Sequence, residues 1–149
     1  MKKILFVFAA ILMGLSSFAQ NKDHITWKFE SVKKAGNEYD IVITAMVDKP
    51  WHIYSQNSGK EGPIPSSFSF KKNPLISLVG KVTEKGTASK SYDDLFKTNV
   101  IFYNNTVVFT QTIKLKGNVK TTFSGTVDYM LCNDKECTPP TTKTFEIKL

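Results

Sequence analysis

Apolar and polar side chains alternate with a period of two along much of this chain. Ile25, Trp27 and Phe29 fall on one face of the first such segment, with polar side chains between them. Residues 39–47 repeat the pattern after a turn at residues 35–37. An alternation of this kind indicates half-buried strands rather than a helix. The two segments are therefore predicted to form a β-hairpin.

The same signal marks several further strand candidates. They lie at residues 51–54, 67–70, 76–82, 100–103, 106–115, 121–131 and 143–149. Residues 56–65 and 85–97 lack the alternation and are expected to be irregular loops, whereas Asn104-Asn105 suits a tight hairpin turn between two strands. Short strands separated by Gly, Pro and Asn, without convincing helical periodicity, predict an all-β fold. We expect an immunoglobulin-like two-sheet antiparallel β-sandwich.

The first 19 residues have the organisation of a secretory signal peptide. Lys2 and Lys3 precede an apolar run at residues 4–15, and small residues lead to a predicted cleavage after Ala19 or Gln20. Because the run is shorter than the ~20 apolar residues of a membrane span, a retained anchor is the weaker alternative. The mature chain, residues 20–149, is expected to be a single periplasmic domain without stable membrane insertion, with secretion as the alternative. Paired cysteines stay oxidised in such a compartment.

The composition of the 149-residue chain argues against several classes of protein. All 20 basic residues are lysine, so the planar guanidinium that reads phosphates and guanine edges is missing, and no nucleic-acid partner is expected. The sequence also contains no Gly-rich phosphate loop and no Gly-x-Ser-x-Gly elbow. A zinc site built from His24, His52 and the two cysteines would match no known ligand spacing. We therefore predict neither a cofactor nor a bound metal.

The two cysteines, Cys132 and Cys137, are separated by four residues. A disulfide between them would close a loop of about six residues and stabilise the fold by only ~2 kcal/mol on the chain-entropy model. A domain of this size hardly needs so local a staple, and the usual immunoglobulin disulfide joins distant strands instead. The residues alone leave a redox-active pair and a structural staple equally open. Metal handling by the two thiolates is a third interpretation.

Several segments around these cysteines resemble one known family. The run Tyr129-Met130-Leu131-Cys132, followed by Cys137-Thr138-Pro139-Pro140, is similar to the active-site segment of the N-terminal domain of DsbD, a bacterial thiol:disulfide interchange protein. Residues 51–54 resemble the aromatic strand of that family, and residues 94–103 resemble its cap loop and the strand after it. One departure is the gap of four residues between the cysteines, where better-known members have five. Full-length DsbD also has a membrane-embedded domain and a thioredoxin-like domain, so we expect a separate chain to supply the electrons.

The resemblance implies an envelope redox relay of the protein-disulfide reductase type. Cys137 would attack the disulfide of an oxidised envelope thiol protein, and Cys132 would resolve the mixed disulfide. Phe96 would cover the pair as a cap, although without the resemblance it would be taken for a core side chain, and Tyr54 would line the site. The electron donor would be a thioredoxin-like or membrane-embedded thiol reductase. The alternative is a secreted immunoglobulin-like binding or assembly module with a purely structural disulfide.

Overall fold

A computed structural model describes residues 23–59, 61–94 and 96–149 of the protein. These residues contain no helix, and so none that is long and apolar enough to cross a membrane. The predicted signal peptide and both candidate cleavage sites lie outside the described residues. The strands in chain order are β1 (Ile25–Lys33), β2 (Glu38–Val47), β3 (His52–Tyr54), β4 (Ser67–Phe70), β5 (Ile76–Gly86), β6 (Ser89–Asp93), β7 (Thr98–Tyr103), β8 (Thr106–Leu115), β9 (Thr122–Tyr129), β10 (Leu131–Cys132) and β11 (Thr141–Lys148).

The first sheet has four antiparallel strands in the order β1-β2-β8-β5. The predicted β1–β2 hairpin is confirmed, and Gly36 in its turn has a φ of 64°, a conformation that glycine adopts without steric cost. Ile41, Ile43 and Ala45 of β2 are fully buried, as the alternation predicts. Ile43 lies opposite Phe109 of β8, which is also fully buried, so these strands form one wall of the core.

A three-stranded sheet, in the order β11-β9-β4, packs against this wall through aromatic side chains. The rings of Phe29 and Phe145 stack with their centroids 4.9 Å apart, and those of Phe68 and Phe109 are separated by the same distance. Gly125 of β9 leaves room for the close approach of both neighbouring strands, because a Cβ there would lie 2.5 Å from the carbonyl oxygen of Ser69. The two sheets enclose the main apolar core.

The third sheet, in the order β10-β3-β7-β6, is buried on one side by the main core and carries a second apolar cluster on the other. Its side chains in the main core are Ile53, Tyr103 and Leu131. The buried side chains of the second cluster are Tyr54, Val100 and Cys132, with Phe102 and Met130 packed against them. Because neighbouring residues of a strand point to opposite faces, this sheet presents the cysteine-bearing face away from the main core.

The immunoglobulin-like all-β architecture is confirmed, but several local predictions were wrong. The strands opposite the first sheet form two smaller sheets rather than one. The predicted strand at residues 121–131 is interrupted at Met130, because β9 and β10 pair with strands of different sheets. Asn104-Asn105 does not close a hairpin, since β7 pairs with β3 and β6 whereas β8 pairs with β2 and β5. The turn instead carries the chain from one sheet to another.

The stretch at residues 85–97, expected to be irregular, contains the end of β5 and all of β6. Strand β6 pairs with β7 at the edge of its sheet. An edge strand needs few apolar side chains, because it has a partner on one side only, and the polar sequence Ser-Lys-Ser-Tyr-Asp gave little sign of it. The described residues of the other predicted loop, 56–59 and 61–65, contain no strand.

Candidate functional site

Cys132 and Cys137 form a disulfide at the end of the third sheet, with an S–S distance of 2.01 Å. The two sulfurs have different environments. Cys132 ends β10 and is only 2% exposed, whereas Cys137 lies on the far side of the turn and is exposed. Cys137 is therefore the more accessible residue of the pair.

Residues 131–138, which we call the cysteine hairpin, are held by hydrogen bonds as well as by the disulfide. The side-chain oxygen of Asn133 accepts hydrogen bonds from the backbone N–H groups of Lys135 (2.8 Å) and Glu136 (2.9 Å). At the base, the N–H of Thr138 donates to the carbonyl of Leu131 at 2.7 Å, and the Thr138 hydroxyl accepts the N–H of Leu131 at 3.1 Å. None of these hydrogen bonds involves sulfur, so reduction of the disulfide removes none of their donors or acceptors.

Strand β3 places two side chains beside Cys132. His52 is the residue directly opposite Cys132 in the β3–β10 pairing, and Tyr54 follows two positions later on the same face. The His52 Nε2 atom and the Tyr54 hydroxyl are hydrogen-bonded at 3.0 Å. The His52 ring also packs on Phe102 of β7, with centroids 4.5 Å apart. This pairing explains how a histidine distant in the sequence becomes a neighbour of the buried cysteine.

The turn between β6 and β7 carries Phe96, which is half-buried. The backbone N–H of Phe96 donates a hydrogen bond to the Oδ1 atom of Asp93 at 3.1 Å, and Lys97 takes a left-handed φ of 54° to enter β7. These features fix the turn at the end of the β6–β7 hairpin. The hairpin thus positions Phe96 at the rim of the cysteine site.

A cavity of about 680 Å³ brings all four predicted site residues together: its lining includes Cys132, Cys137, Phe96 and Tyr54. His52 and Phe102 also line it, as do acidic residues from the β6–β7 turn and the cysteine hairpin. A second cavity, of about 420 Å³, lies on the other side of Cys137, where the ring of His24 stacks on Trp51 at 4.3 Å. Cys137 therefore borders two recesses, and only the first is shared with Cys132, Phe96 and Tyr54.

Burial controls the acid–base properties of the site. It raises the pKa of Tyr54 to about 12, with a smaller contribution from the negative charge of Asp93, so the phenol keeps its proton at neutral pH. Burial also lowers the pKa of His52, against the opposing attraction of Asp134 and Asp93 for the imidazolium. The imidazole is therefore neutral at neutral pH and able to accept a proton.

The zinc set considered from the sequence is not assembled in this fold. His52 lies in the cavity with Phe96, whereas His24 lies in the second cavity. In the described part of the chain, no group of three or more His, Cys, Asp or Glu side chains is arranged to hold a metal ion.

The sequence offers His52 only as a member of a zinc set with unmatched spacing, and it predicts no role for Asn133 or Thr138. The Asn133 turn had a local signal, because Asn side chains commonly accept backbone hydrogen bonds two residues later. No local sequence signal marks His52, since its position beside Cys132 depends on the pairing of two strands that are far apart in the chain.

The fold and the site together define an immunoglobulin-like domain with one disulfide at a sheet end, which shares a cavity with Phe96 of the β6–β7 turn. The family model described as "Thiol:disulfide interchange protein DsbD, N-terminal" matches residues 19–149. The chain belongs to this family, as the sequence resemblance indicated. No curated protein sequence matches the chain.

Solved structures of low sequence identity share the fold. The N-terminal periplasmic domain of ScsB from Proteus mirabilis has a TM-score of 0.62 at 15% identity, and the match covers 86% of this chain and 47% of that one. This chain thus matches about half the length of that protein chain. The reduced DsbD N-terminal domain of Neisseria meningitidis has a TM-score of 0.54 at 13% identity, with 81% and 83% of the two chains covered. A chain of the complex between the DsbD N-terminal and PilB N-terminal domains, from the same organism, has a TM-score of 0.58 at 9% identity, with 87% of each covered.

Proposed function

We propose that the protein is an envelope thiol:disulfide interchange domain that passes electrons between other thiol proteins through Cys132 and Cys137. The observation that carries this proposal is the asymmetry of the pair: Cys137 is an exposed residue and Cys132 is a buried one. The hydrogen bonds of Asn133 and Thr138 support it, because they link residues of the hairpin through groups other than the two sulfurs.

The exposure of Cys137 and the burial of Cys132 support a particular order of the exchange steps. In the reduced domain, the Cys137 thiolate attacks a client disulfide, a Cys137–client disulfide forms, and the second client sulfur leaves as a thiolate. The Cys132 thiolate then attacks Cys137, the intramolecular disulfide forms, and the client sulfur departs. Two electrons have passed to the client. A donor dithiol reverses these steps by attacking Cys137, after which the domain is again reduced.

The partners in this scheme are thiol proteins. A related structure contains the DsbD N-terminal and PilB N-terminal domains as a complex. By extension we propose a thioredoxin-like or membrane-embedded thiol reductase as the electron donor and an oxidised envelope thiol protein as the client. The mature domain would comprise residues 20–149 after removal of the signal peptide, in agreement with the family match that starts at residue 19. The related ScsB domain is periplasmic, and we propose the same compartment here.

Phe96 and Tyr54 would control access to the disulfide in this proposal. Phe96 sits on a hydrogen-bonded turn at the rim of the cavity, and Tyr54 is almost fully buried beneath it. An aromatic side chain at the rim hinders small thiols, whereas a docked partner can displace it by moving a short turn. Such a cap suits a relay that must not discharge onto unrelated disulfides.

The cap predicts a gain of reactivity when Phe96 is shortened. Phe96→Ala should accelerate reduction of the Cys132–Cys137 disulfide by dithiothreitol by about tenfold, because the rate of exchange depends on access to the attacked sulfur. The control is Tyr92→Ala, which removes an aromatic ring from the same cavity lining but from a side chain that is 56% exposed. Stopped-flow measurement of disulfide reduction gives both rates. Equal rates of disulfide reduction in Phe96→Ala and the unmodified protein would show that Phe96 does not cap the disulfide.

The interchange function itself predicts the redox equilibrium of the pair. In glutathione buffers, the Cys132/Cys137 couple should titrate reversibly with two electrons and a potential above about −300 mV, because structural disulfides lie below that value. Thiol trapping followed by mass spectrometry measures the reduced fraction at each buffer ratio. A pair that stays oxidised throughout the glutathione range would support the structural interpretation of the disulfide instead.

A further inference from the structure

Resolution of the mixed disulfide requires the buried Cys132 thiol to lose its proton, a step that burial makes harder than it is for the exposed Cys137. Cys132 is 2% exposed, and its thiol must lose a proton before it can attack the mixed disulfide at Cys137. Burial favours the neutral thiol over the thiolate. Bulk water has little access to carry the proton away. A titratable group within the site is needed to accept it.

Strand pairing places one such group next to Cys132. His52 is the direct cross-strand partner of Cys132, and side chains paired in this way lie on the same face with their Cβ atoms about 4.5–5.5 Å apart. Both residues line the same cavity. The hydrogen bond between the His52 Nε2 atom and the Tyr54 hydroxyl and the ring contact with Phe102 hold the imidazole on this face.

We propose that His52 is the proton acceptor and donor for the Cys132 thiol, and that it sets the rate of the resolving step. This inference rests on the proposed interchange function and adds a residue to its machinery. His52 takes the proton as the Cys132 sulfur attacks Cys137, the Cys132–Cys137 bond forms, and the Cys137–partner bond breaks. The proton then passes from the imidazolium to the departing partner thiolate or to solvent. In the reverse direction the imidazolium returns a proton to the leaving sulfur of Cys132.

The other polar groups around His52 do not replace it in this role. Tyr54 keeps its phenolic proton at neutral pH and so cannot accept another. Asp94, Asp134, Lys135 and Glu136 also line the cavity, and all four are exposed to solvent. Asp93 at the end of β6 and Asp134 on the hairpin favour the imidazolium, and burial opposes them. Because the effect of burial is the larger, His52 is a neutral base beside Cys132 at neutral pH.

The test separates the attack of Cys137 from the resolution by Cys132. The fully reduced protein, in excess, is mixed with dithiobis(nitrobenzoate). Attack by Cys137 releases the first nitrothiobenzoate, and Cys132 releases the second by closing the disulfide. In His52→Gln the second phase should slow by about tenfold at neutral pH, a modest loss for general base catalysis, while the first phase stays within about twofold. His24→Gln is the matched control, because that ring stacks on Trp51 in the second cavity.

The dependence of the second phase on pH distinguishes a proton acceptor from a merely structural side chain. In the unmodified protein, this rate should fall on acidification with an inflection below 6.5, the ordinary pKa of histidine, because burial lowers the pKa of His52. The inflection should be absent in His52→Gln. An unchanged second phase with an unchanged pH profile in the variant overturns the role of His52. If the variant does not fold, the absence of an inflection in the unmodified protein overturns it. Failure of the unmodified protein to release the second nitrothiobenzoate contradicts the interchange function itself.

Discussion

Replacing Cys132 by alanine should trap the protein in a mixed disulfide with a thioredoxin-fold partner, whereas replacing Cys137 by alanine should abolish both the trapped complex and electron transfer. In the proposed scheme the partner bonds to Cys137, which is exposed, and Cys132, which is buried, releases it. Without Cys132 the first step occurs and the second cannot. Without Cys137 the remaining thiol is inaccessible to a second protein.

Non-reducing electrophoresis with mass spectrometry of the linked peptides identifies the trapped species. The double variant Cys132→Ala/Cys137→Ala is the control for non-covalent association. Equal trapping through either cysteine would contradict the assignment of Cys137 as the attacking residue. If neither single variant forms a mixed disulfide and the double variant keeps a binding partner, the protein is a binding module with a structural bridge.

Replacing Phe109 by alanine should destabilise the domain by about 3–5 kcal/mol, because a fully buried aromatic ring is lost from the main core. That is a large share of the roughly 5–15 kcal/mol by which domains are stable.

The Cys132→Ser/Cys137→Ser variant should lose only ~2 kcal/mol, the value expected for closing so short a loop. The scaffold is therefore expected to stay folded when the pair is reduced, as a relay requires.

Urea unfolding followed by circular dichroism measures both free energies of unfolding. Val79→Ala, at a side chain that is 41% exposed, is the control for Phe109→Ala and should change stability by less than about 1 kcal/mol. A cysteine double variant that loses as much stability as Phe109→Ala would show that the bridge supports the whole domain. That result would favour a structural role of the disulfide over a redox role.

Much of the sandwich was predictable because strand periodicity is a local property. The alternation along β2 and β8 predicted which side chains enter the core, and the β1–β2 turn was marked by its glycine. The polar edge strand β6 was not predictable in this way, since its pairing with β7 needs few apolar residues. The missed strand matters for the site, because the β6–β7 hairpin positions Phe96.

By itself the sequence determined the strand-rich fold class, the position of the one cysteine pair and, through a few short segments, the family. Only the tertiary structure decided that Cys132 is buried while Cys137 is exposed, and that His52 pairs with Cys132 across β3 and β10. The physical reason is that strand identity follows from neighbouring residues, whereas burial and the contacts of β10 with β3 depend on segments that folding brings together from distant parts of the chain.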